Sequence, residues 1–417
     1  MPESMNFWLT LAVFTATYAG LAVGRLPGLR TDRPGIALAG AAAVLATGLL
    51  TFEQAVAAID FATLGLLLGM MLVVAYLRRG GFFDELAGRA LARVRTPAGL
   101  LAVTMGLSAA LSALLVNDVA CLALTPLVLG LARRMGTDAR PHLVGLAVAS
   151  NVGSVATLTG NPQNMIIGGL SHVSYIRFAA KLAPVALLSL AVAYAVARLA
   201  FRAALSAPLT PPPDAAPASR PTPRRKRAVL VKGVAVTTLA VAGFVAGFPM
   251  ATVALAAAGL LLLDRVTPAR LYREVDWPLL VMFAGLFVVV HSFEVHALSR
   301  VGVETWATLR DHPVDYLSGA SAVLSNVVSN VPAVLLFKPV IAAMPAEVHE
   351  AAWLALAMSS TLAGNLTVLG SVANLIVVEN ARKGGVTITL ADYCRVGVPV
   401  TLLTLMIGIS WLKYVAY

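Results

Sequence analysis

The sequence predicts an all-helical polytopic membrane protein built from two repeats of inverted topology. Hydrophobic residues make up 59% of the 417-residue chain and charged residues only 12%, about half the charged share of a soluble domain. The apolar residues form blocks of roughly 17 to 24 residues, the length that crosses a hydrocarbon core. Similar polar segments also occur in both halves of the chain, which indicates an internal repeat.

The clearest apolar blocks predict single crossings. They are too long and too unbroken for barrel strands, which alternate over about 10 residues. The blocks are 7–24, 35–50, 61–77, 182–201, 228–246, 251–263, 277–291 and 396–412. The net charge of +11 does not indicate a nucleic-acid partner, because most Lys and Arg lie in short loops between these blocks. That distribution is typical of cytoplasmic loops.

Loop charges predict the orientation of the first repeat, residues 1–202. The first crossing ends among arginines and therefore in the cytoplasm, whereas the next loop contains Glu53 and Asp60 but no Lys or Arg. The apolar pieces 98–116 and 119–131 are flanked by basic residues on both sides. A re-entrant hairpin at about 98–131, entering from the cytoplasm with its tip near Asn117, accounts for both basic clusters.

Residues 203–227 are rich in Pro and Ala and end in a basic run, which predicts a flexible cytoplasmic linker. The second repeat, 228–417, contains a hairpin at about 316–344 that is flanked by acidic residues and therefore enters from outside. The two repeats together give about ten crossings and two hairpins. An odd number of crossings in each repeat places the two copies in opposite orientations.

Individual residues support the repeat. At an offset of 213 residues, Asn117 aligns with Asn330. The same offset aligns Pro126 with Pro339, and an offset of 216 aligns Asp60 with Asp276, each before a long apolar block. An offset of 210 aligns Thr157, Gly160 and Asn164 with Thr367, Gly370 and Asn374. Small loop deletions between two copies would produce such a slowly falling offset.

The polar segments predict a binding site at mid-membrane. Non-helical backbone is tolerated there only where protein or a water-filled cavity surrounds it. Polar residues occur at two hairpin tips, 116–118 and 329–331, and at two helix breaks, 157–164 and 367–374. Their carbonyl and amide oxygens suit a small cation, and the helix N-termini beside them suit an anion. The alternative is that the tips are only turns. The candidate substrate and ion ligands are Asn117, Asp118, Thr157, Gly160, Asn161, Asn164, Ser329, Asn330, Thr367, Gly370, Ser371 and Asn374.

In both repeats the tip Asn precedes a Pro by nine residues and is followed downstream by T-x-x-G-x-x-x-N. This pattern resembles the ion transporter superfamily, which includes divalent anion/sodium symporters, citrate transporters, arsenite permeases and sodium/proton antiporters. The resemblance covers nearly the whole chain. It implies secondary transport of a small anion, a carboxylate or an inorganic oxyanion, by alternating access with proton or sodium coupling. It also implies a bacterial inner membrane location and a homodimer.

The symporters in that superfamily have Ser-Asn-Thr tips, whose Asn helps to bind sodium and the substrate carboxylate. The second tip here has Val331 in place of Thr, and the first tip has Val116 and Asp118 beside its Asn. The first tip therefore resembles the arsenite permease and antiporter branches, and the second half resembles the anion permease branch. A sodium ion, if it is used, is expected at Asn117, Gly160, Ser329, Asn330 and Gly370.

Asp118 is the one carboxylate predicted at mid-membrane. Such an acid is a functional candidate, here for proton coupling, although Asp is also a favoured helix N-cap. Lys338 lies about 12 Å along a helix from its tip, so it is expected to extend toward the outer surface rather than to bind substrate. Cys121 is expected to be a small core residue rather than a metalloid ligand.

Other functions remain open at this point. They are arsenite or antimonite efflux, sodium/proton antiport and, from another class, an ion channel. An enzyme is not expected, because the six His are scattered and neither HExxH nor GxSxG occurs. No cofactor is predicted other than Na⁺ or H⁺ as coupling ion. The sequence has no GxxxxGK motif, so an arsenite pump driven by ATP would need a separate ATPase subunit.

Overall fold

A computed structural model describes residues 3–23, 31–91, 94–206, 224–264, 266–301 and 311–414, and these residues form helices and loops without a β-strand. The first half contains α1 (Glu3–Val23), α2 (Arg33–Ala46), α3 (Phe52–Ala58), α4 (Phe61–Arg79), α5 (Phe82–Leu91), α6 (Pro97–Leu114), α7 (Asn117–Met135), α8 (Arg140–Ser154), α9 (Pro162–Ser171), α10 (Tyr175–Ala200) and α11 (Arg202–Ser206).

The second half contains α12 (Arg224–Val245), α13 (Met250–Leu262), α14 (Pro268–Tyr272), α15 (Trp277–His296), α16 (Leu298–Val301), α17 (Pro313–Val328), α18 (Asn330–Ala342), α19 (His349–Ala363), α20 (Val372–Lys383) and α21 (Leu390–Tyr414). Residues 207–223 of the predicted linker lie outside the described residues. Its two ends, 203–206 and 224–227, belong to α11 and α12 and are helical.

Seven of the described helices are long and apolar enough to cross a membrane, namely α1, α4, α6, α10, α12, α15 and α21. The helices α2 and α13 have 14 and 13 residues. Each is therefore about 20 Å long, shorter than a hydrocarbon core of about 30 Å. The chain is an all-α polytopic membrane protein, while the number of crossings stays a prediction.

Side-chain caps determine where α4 and α15 begin. Asp60 Oδ1 accepts a hydrogen bond from the Thr63 amide at 3.0 Å, and Asp276 Oδ1 accepts one from the Leu279 amide at 3.1 Å. Each carboxylate satisfies an amide that has no partner within its own helix. The two acids that the repeat aligns therefore begin equivalent helices.

The helices pack in two groups. Group A consists of α1, α2, α4, α12, α13 and α15, and group B of α6–α10 and α17–α21. In group A, α2 packs on α15 and α13 packs on α4; in group B, α7 packs on α20 and α18 packs on α9. The repeat relates α2 to α13, α15 to α4, α7 to α18 and α20 to α9. The two pairs within each group are therefore equivalent. These are the contacts that two related halves would make, whereas their opposite orientation in a membrane stays a prediction.

Two glycines permit the closest helix crossings in group A. A Cβ atom on Gly69 would lie 2.6 Å from the carbonyl carbon of Ala254, and a Cβ on Gly285 would lie 2.7 Å from that of Ala37. Gly69 and Gly285 differ by the same offset of 216 as Asp60 and Asp276. The repeat therefore extends to the close contacts α4–α13 and α15–α2.

Candidate functional site

A cavity of about 280 Å³ lies between groups A and B, and we call it the tip cavity. Both hairpin tips and the restart points of both broken helices line it, together with the first residues of α2 and α15. The lining residues are Asp32, Arg33, Pro34, Asn117, Asp118, Pro162, Gln163, Asp276, Pro278, Leu279, Met282, Ser329, Asn330, Val331, Ser371 and Val372. Segments that are far apart in the sequence thus meet at one place.

The first tip separates α6 from α7. The chain leaves the helix after Leu114 and resumes it at Asn117. The Asn117 amide donates to the Gly160 carbonyl at 3.0 Å, and its Nδ2 donates to Asn151 Oδ1 at 3.2 Å. The side chain of Asn117 is only 4% exposed, and its Oδ1 has no hydrogen-bond partner. An unpaired buried oxygen is unfavourable unless a ligand, an ion or a water molecule binds to it.

The second tip has a strained backbone. Ser329 connects α17 to α18 with φ 79° and ψ 157°, a region that is almost exclusive to glycine and costs about 1–3 kcal/mol. The next residue, Asn330, is 9% exposed and its Oδ1 also has no partner. The two tips therefore present the same feature, a buried amide oxygen without a hydrogen bond.

The first break, between α8 and α9, is held together by Asn164. Its Nδ2 donates to the carbonyls of Ser154 and Thr157, both at 3.0 Å. Asn161 caps α9 and accepts from the Asn164 amide at 2.8 Å. A Cβ on Gly160 would overlap the carbonyl of Ser154. The side-chain amide of Asn164, on α9, thus bonds back to the end of α8 and to the loop between the two helices, and fixes the shape of the interruption.

The second break, between α19 and α20, has the same construction. Asn374 Nδ2 donates to the Gly364 carbonyl at 2.7 Å and to the Thr367 carbonyl at 3.0 Å. Ser371 caps α20 and accepts from the Ala373 amide at 3.3 Å. A Cβ on Gly370 would lie 2.8 Å from the Gly364 carbonyl oxygen. The T-x-x-G-x-x-x-N motif therefore encodes a loop that its own Asn braces.

Five of the predicted site residues line the tip cavity, and the other seven lie behind it. The lining residues are Asn117, Asp118, Ser329, Asn330 and Ser371. The residues behind it are Thr157, Gly160, Asn161, Asn164, Thr367, Gly370 and Asn374. The structure assigns these seven to the bracing of the breaks, and a direct role in binding stays a prediction for them. The part of the chain that the structure describes contains no cluster of three His, Cys, Asp or Glu that would hold a metal ion. The sodium site also stays a prediction.

A buried polar network that the sequence did not predict connects the two halves. Asn151 Nδ2 donates to Asn365 Oδ1 at 2.9 Å and to Asn374 Oδ1 at 3.0 Å. Asn151 Oδ1 accepts from Ser371 Oγ at 3.0 Å, in addition to Asn117. The position aligned with Asn151 at the offset of 210 is Thr361. A polar residue ten positions before the N-cap of each restarted helix was the available sequence signal.

Thr361 makes the reciprocal connection to the first break. Its Oγ1 accepts from Asn161 Nδ2 at 3.3 Å and from Gln163 Nε2 at 3.2 Å. Each break is therefore hydrogen-bonded to the helix that precedes the other break. The network makes the two breaks and the first tip one connected unit.

Charged side chains are part of the lining of the tip cavity. They are three carboxylates, Asp32, Asp118 and Asp276, and the guanidinium of Arg33. Asp118 makes no hydrogen bond to the described residues, and the N-cap of α7 is Val116 without a side-chain bond. Asp118 therefore does not cap its helix, which corrects the alternative that the sequence left open. The sequence did not predict that Asp32, Arg33, Gln163 and Asp276 reach this site, because only the packing of groups A and B brings them there.

Two residues that the sequence singled out lie away from the tip cavity. Lys338 Nζ lies 3.0 Å from Glu294 Oε1, in an ion pair between α18 and α15. Cys121 is fully buried and its Sγ donates to Ser150 Oγ at 3.1 Å. Cys121 is thus a core residue, as expected, and Lys338 has a specific partner.

Comparison with known proteins finds transporters at the level of family, sequence and fold. A family model described as "Citrate transporter" matches residues 18–363. An uncharacterized transporter of Mycobacterium tuberculosis is 31% identical over 98% of this chain and 99% of its own length. The silicon efflux transporter of Oryza sativa subsp. japonica is 31% identical over 97% of this chain and 95% of its own. In fold, the chain is similar to the Alcanivorax borkumensis YdaH transporter, with a TM-score of 0.59, 18% identity and coverage of 99% of this chain and 97% of that one.

Proposed function

The chain belongs to the citrate transporter family, and from this membership we propose that it is a secondary active transporter of a small anion that works by alternating access. The family and its relatives are transporters rather than enzymes, so the chain is an integral membrane transporter of a small solute. The mycobacterial relative indicates a bacterial plasma membrane. The anionic substrate, its coupling and the mechanism are the proposal.

The observation that carries the proposal is the convergence of helix N-termini on the tip cavity. The helices α7, α9, α18 and α20 all begin among its lining residues, and so do α2 and α15. Each N-terminus carries about half a positive charge and has amides without a partner in its own helix. Side-chain caps pair one such amide in α2, α9, α15 and α20. Six such ends around about 280 Å³ favour a small anion, and Arg33 adds a full positive charge.

Alternating access follows from the position of the cavity between the two groups. The tips and breaks belong to group B, where the Asn151 and Thr361 networks connect the first tip to both breaks, whereas α2 and α15 belong to group A. A movement of group B relative to group A would change which side of the membrane reaches the tips. The predicted threading places Asp32, Arg33 and Asp276 on the cytoplasmic side, so the proposal assigns this conformation as the inward-facing one.

The coupling ion is part of the proposal. The unpaired oxygens of Asn117 and Asn330 are ligands of the kind that Na⁺ prefers, and the free carboxylate of Asp118 can bind either a cation or a proton. A homodimer also remains a proposal, because the family commonly forms dimers. An ATPase subunit would be relevant only if the protein were an arsenite pump.

A second candidate is efflux of a small uncharged hydroxylated acid, such as arsenous, antimonous or silicic acid. The three carboxylates that line the cavity outnumber Arg33 and would repel a multiply charged anion. The relative from Oryza sativa is named as a silicon efflux transporter. Sodium/proton antiport and a channel are alternatives that the same experiment addresses.

The test is transport by the purified full-length chain in proteoliposomes. Citrate, phosphate, arsenite and silicic acid would be offered singly, with imposed proton or sodium gradients, and with protein-free liposomes as the control. We expect citrate or phosphate to accumulate above its external concentration when a gradient is imposed. Accumulation of arsenite or silicic acid instead would favour the second candidate. Equilibration without accumulation would indicate a channel. Sodium–proton exchange without uptake of any probe would indicate an antiporter, and either result would contradict the proposed function.

A further inference from the structure

The two repeat-related contacts between groups A and B differ in this structure. At the offsets of 216 and 213, α4 corresponds to α15 and α7 to α18, so the α4–α7 and α15–α18 contacts would be identical in a symmetric molecule. Between α4 and α7 lies a second cavity of about 170 Å³, which we call the side cavity. Its lining includes Val74 of α4 and Leu122 of α7.

The equivalent contact in the second half is closed. The residue that aligns with Leu122 is Leu335, which is 0% exposed, whereas Leu122 is partly exposed. Val74 and the aligned Val290 are both 1% exposed. The side chains are the same in both halves, so the sequence at these two positions does not explain why one contact is open and the other closed. Another interaction must hold α18 against group A.

Two polar contacts join α18 to group A. Lys338 Nζ of α18 lies 3.0 and 3.3 Å from the two carboxylate oxygens of Glu294 on α15. Within α15, His291 Nδ1 also lies 3.2 Å from Glu294 Oε2. Tyr18 of α1 donates from its hydroxyl to the carbonyl of Pro332 at 3.1 Å. All of these side chains are partly or fully buried, so solvent screens them less than a surface pair.

The first half lacks these contacts. The residue aligned with Lys338 is Thr125, which donates to the Cys121 carbonyl within its own helix at 2.6 Å. The residue aligned with Glu294 is Arg78, which pairs with Glu274 at 3.7 Å. Among the described residues no hydrogen bond or ion pair joins α7 to α4. The asymmetry of the charges therefore matches the asymmetry of the two contacts.

We propose that the Lys338–Glu294 ion pair is a gate that holds the α15–α18 contact closed and must separate before the tips become accessible from that side. This inference rests on the proposed alternating-access function. When the pair separates and α18 moves away from α15, Leu335 and Val290 would line an opening like the one that Leu122 and Val74 line now. The side cavity would close in the same movement.

The experiment measures cysteine accessibility in full-length protein from which Cys121 and Cys394 have been replaced by Ser. The protein is placed in lipid nanodiscs, so that both faces meet a membrane-impermeant maleimide. Leu335→Cys reports on the closed contact and Leu122→Cys on its open counterpart. Lys338→Met and Glu294→Gln each remove the ion pair, and the exchange Lys338→Glu with Glu294→Lys restores it with reversed polarity.

We expect each single gate variant to raise the labelling rate of Leu335→Cys by about fivefold, the effect of one partly exposed ion pair on a two-state equilibrium. The labelling of Leu122→Cys should fall, and the charge exchange should return both rates toward their original values. The control is Lys413→Met, which removes the Lys413–Asp315 pair at 2.8 Å between two helices of group B. It should change neither rate.

The inference is overturned if Leu335→Cys stays protected in both gate variants, or if Lys413→Met changes its rate equally. It is also overturned if the charge exchange behaves like the single variants. Phe287→Cys serves as a second reporter in case Leu335→Cys disturbs the core, because Phe287 is 3% exposed whereas the aligned Met71 lines the side cavity and is partly exposed. The labelling needs no substrate, so failure of the gate and failure of the proposed transport function give different results.

Discussion

At the residue scale, the tips and breaks have different roles although the sequence gives them the same appearance. Asn164 and Asn374 use their amide groups to brace loops, and they are fully buried. Asn117 and Asn330 line the tip cavity with oxygens that have no partner. The position of all four could be predicted, because an Asn in an apolar block is conspicuous. Their different roles could not be predicted, because these depend on which carbonyls the fold brings within hydrogen-bond distance of each side chain.

The tip asparagines should be required for transport but not for folding. We expect Asn117→Ala and Asn330→Ala each to reduce transport by about tenfold or more, since a lost hydrogen bond in a buried site costs about 1–3 kcal/mol. Asn151 keeps its bonds to Asn365, Asn374 and Ser371, so the network should survive. Uptake and size-exclusion profiles would be compared with those of Asn380→Ala, whose amide bonds only within α20. Normal uptake by both tip variants would mean that the tips are turns only.

The backbone of Ser329 gives a second prediction at this scale. Because φ 79° and ψ 157° favour glycine, Ser329→Gly should be more stable to heat than Ser329→Ala by about 1–3 kcal/mol. Both variants lack the hydroxyl, and the greater entropy of glycine in the unfolded chain acts against the glycine variant, so a higher stability of Ser329→Gly reports the strain. Equal melting temperatures would show that the tip relaxes without glycine. Transport that is lost equally in both variants would instead indicate that the hydroxyl contacts the substrate or ion.

At the element scale, the sequence predicted which segments are helical and where polar residues interrupt them, but it did not predict partners. The short helix α5 (Phe82–Leu91) follows α4 directly, and residues 92–93 lie outside the described part of the chain. The helices α7 and α18 continue past Pro126 and Pro339. Pairings such as α2 with α15 join residues more than half the chain apart, and hydropathy does not encode them. The two glycines at these crossings were the missed signal.

Enlarging Gly285 should disrupt the α15–α2 contact. A leucine there would place atoms within 2.7 Å of the Ala37 backbone, which cannot move without shifting a whole helix. We expect Gly285→Leu to lower the free energy of unfolding by about 1–3 kcal/mol or more, with reduced yield and a lower melting temperature. Gly69→Leu should behave alike, because it is the repeat-related position. Gly259→Leu is the control, since a Cβ atom at Gly259 would have no neighbour within 4 Å, and an equal loss there would contradict the explanation.

At the scale of the whole molecule, the order of the repeats was predicted from offsets and charges, and the exchange of contacts between the halves agrees with it. The side of the membrane that each loop faces cannot be read from the packing and stays a prediction. We expect the termini and the loop with Glu53 outside and the linker inside. A single cysteine at Glu53 should react with an impermeant maleimide in intact cells, whereas one at Ala215 should react only after permeabilisation. The reverse pattern would invert the proposed topology.

The ion gradient that drives transport is a property of the whole molecule, and the position of Asp118 bears on it. Asp118 replaces the hydroxyl of sodium symporter tips, lines both cavities and forms no hydrogen bond with the described residues. A free carboxylate between the two groups of helices can take up a proton in one conformation and release it in the other. We therefore expect transport to follow the proton gradient more closely than the sodium gradient.

Asp118→Asn keeps the shape of the side chain and removes its charge, so the variant should fold normally while its transport becomes independent of pH or is lost. Uptake would be measured across about pH 5 to 8, where an ordinary carboxylate stays ionised, and sodium would be varied separately at fixed pH. Asp60→Asn is the matched control, because Asp60 is used in capping α4 and does not line either cavity. Full, pH-dependent transport by Asp118→Asn would exclude this carboxylate as the coupling group. A response to sodium alone would then assign coupling to the oxygens of Ser329, Asn330 and Asn117.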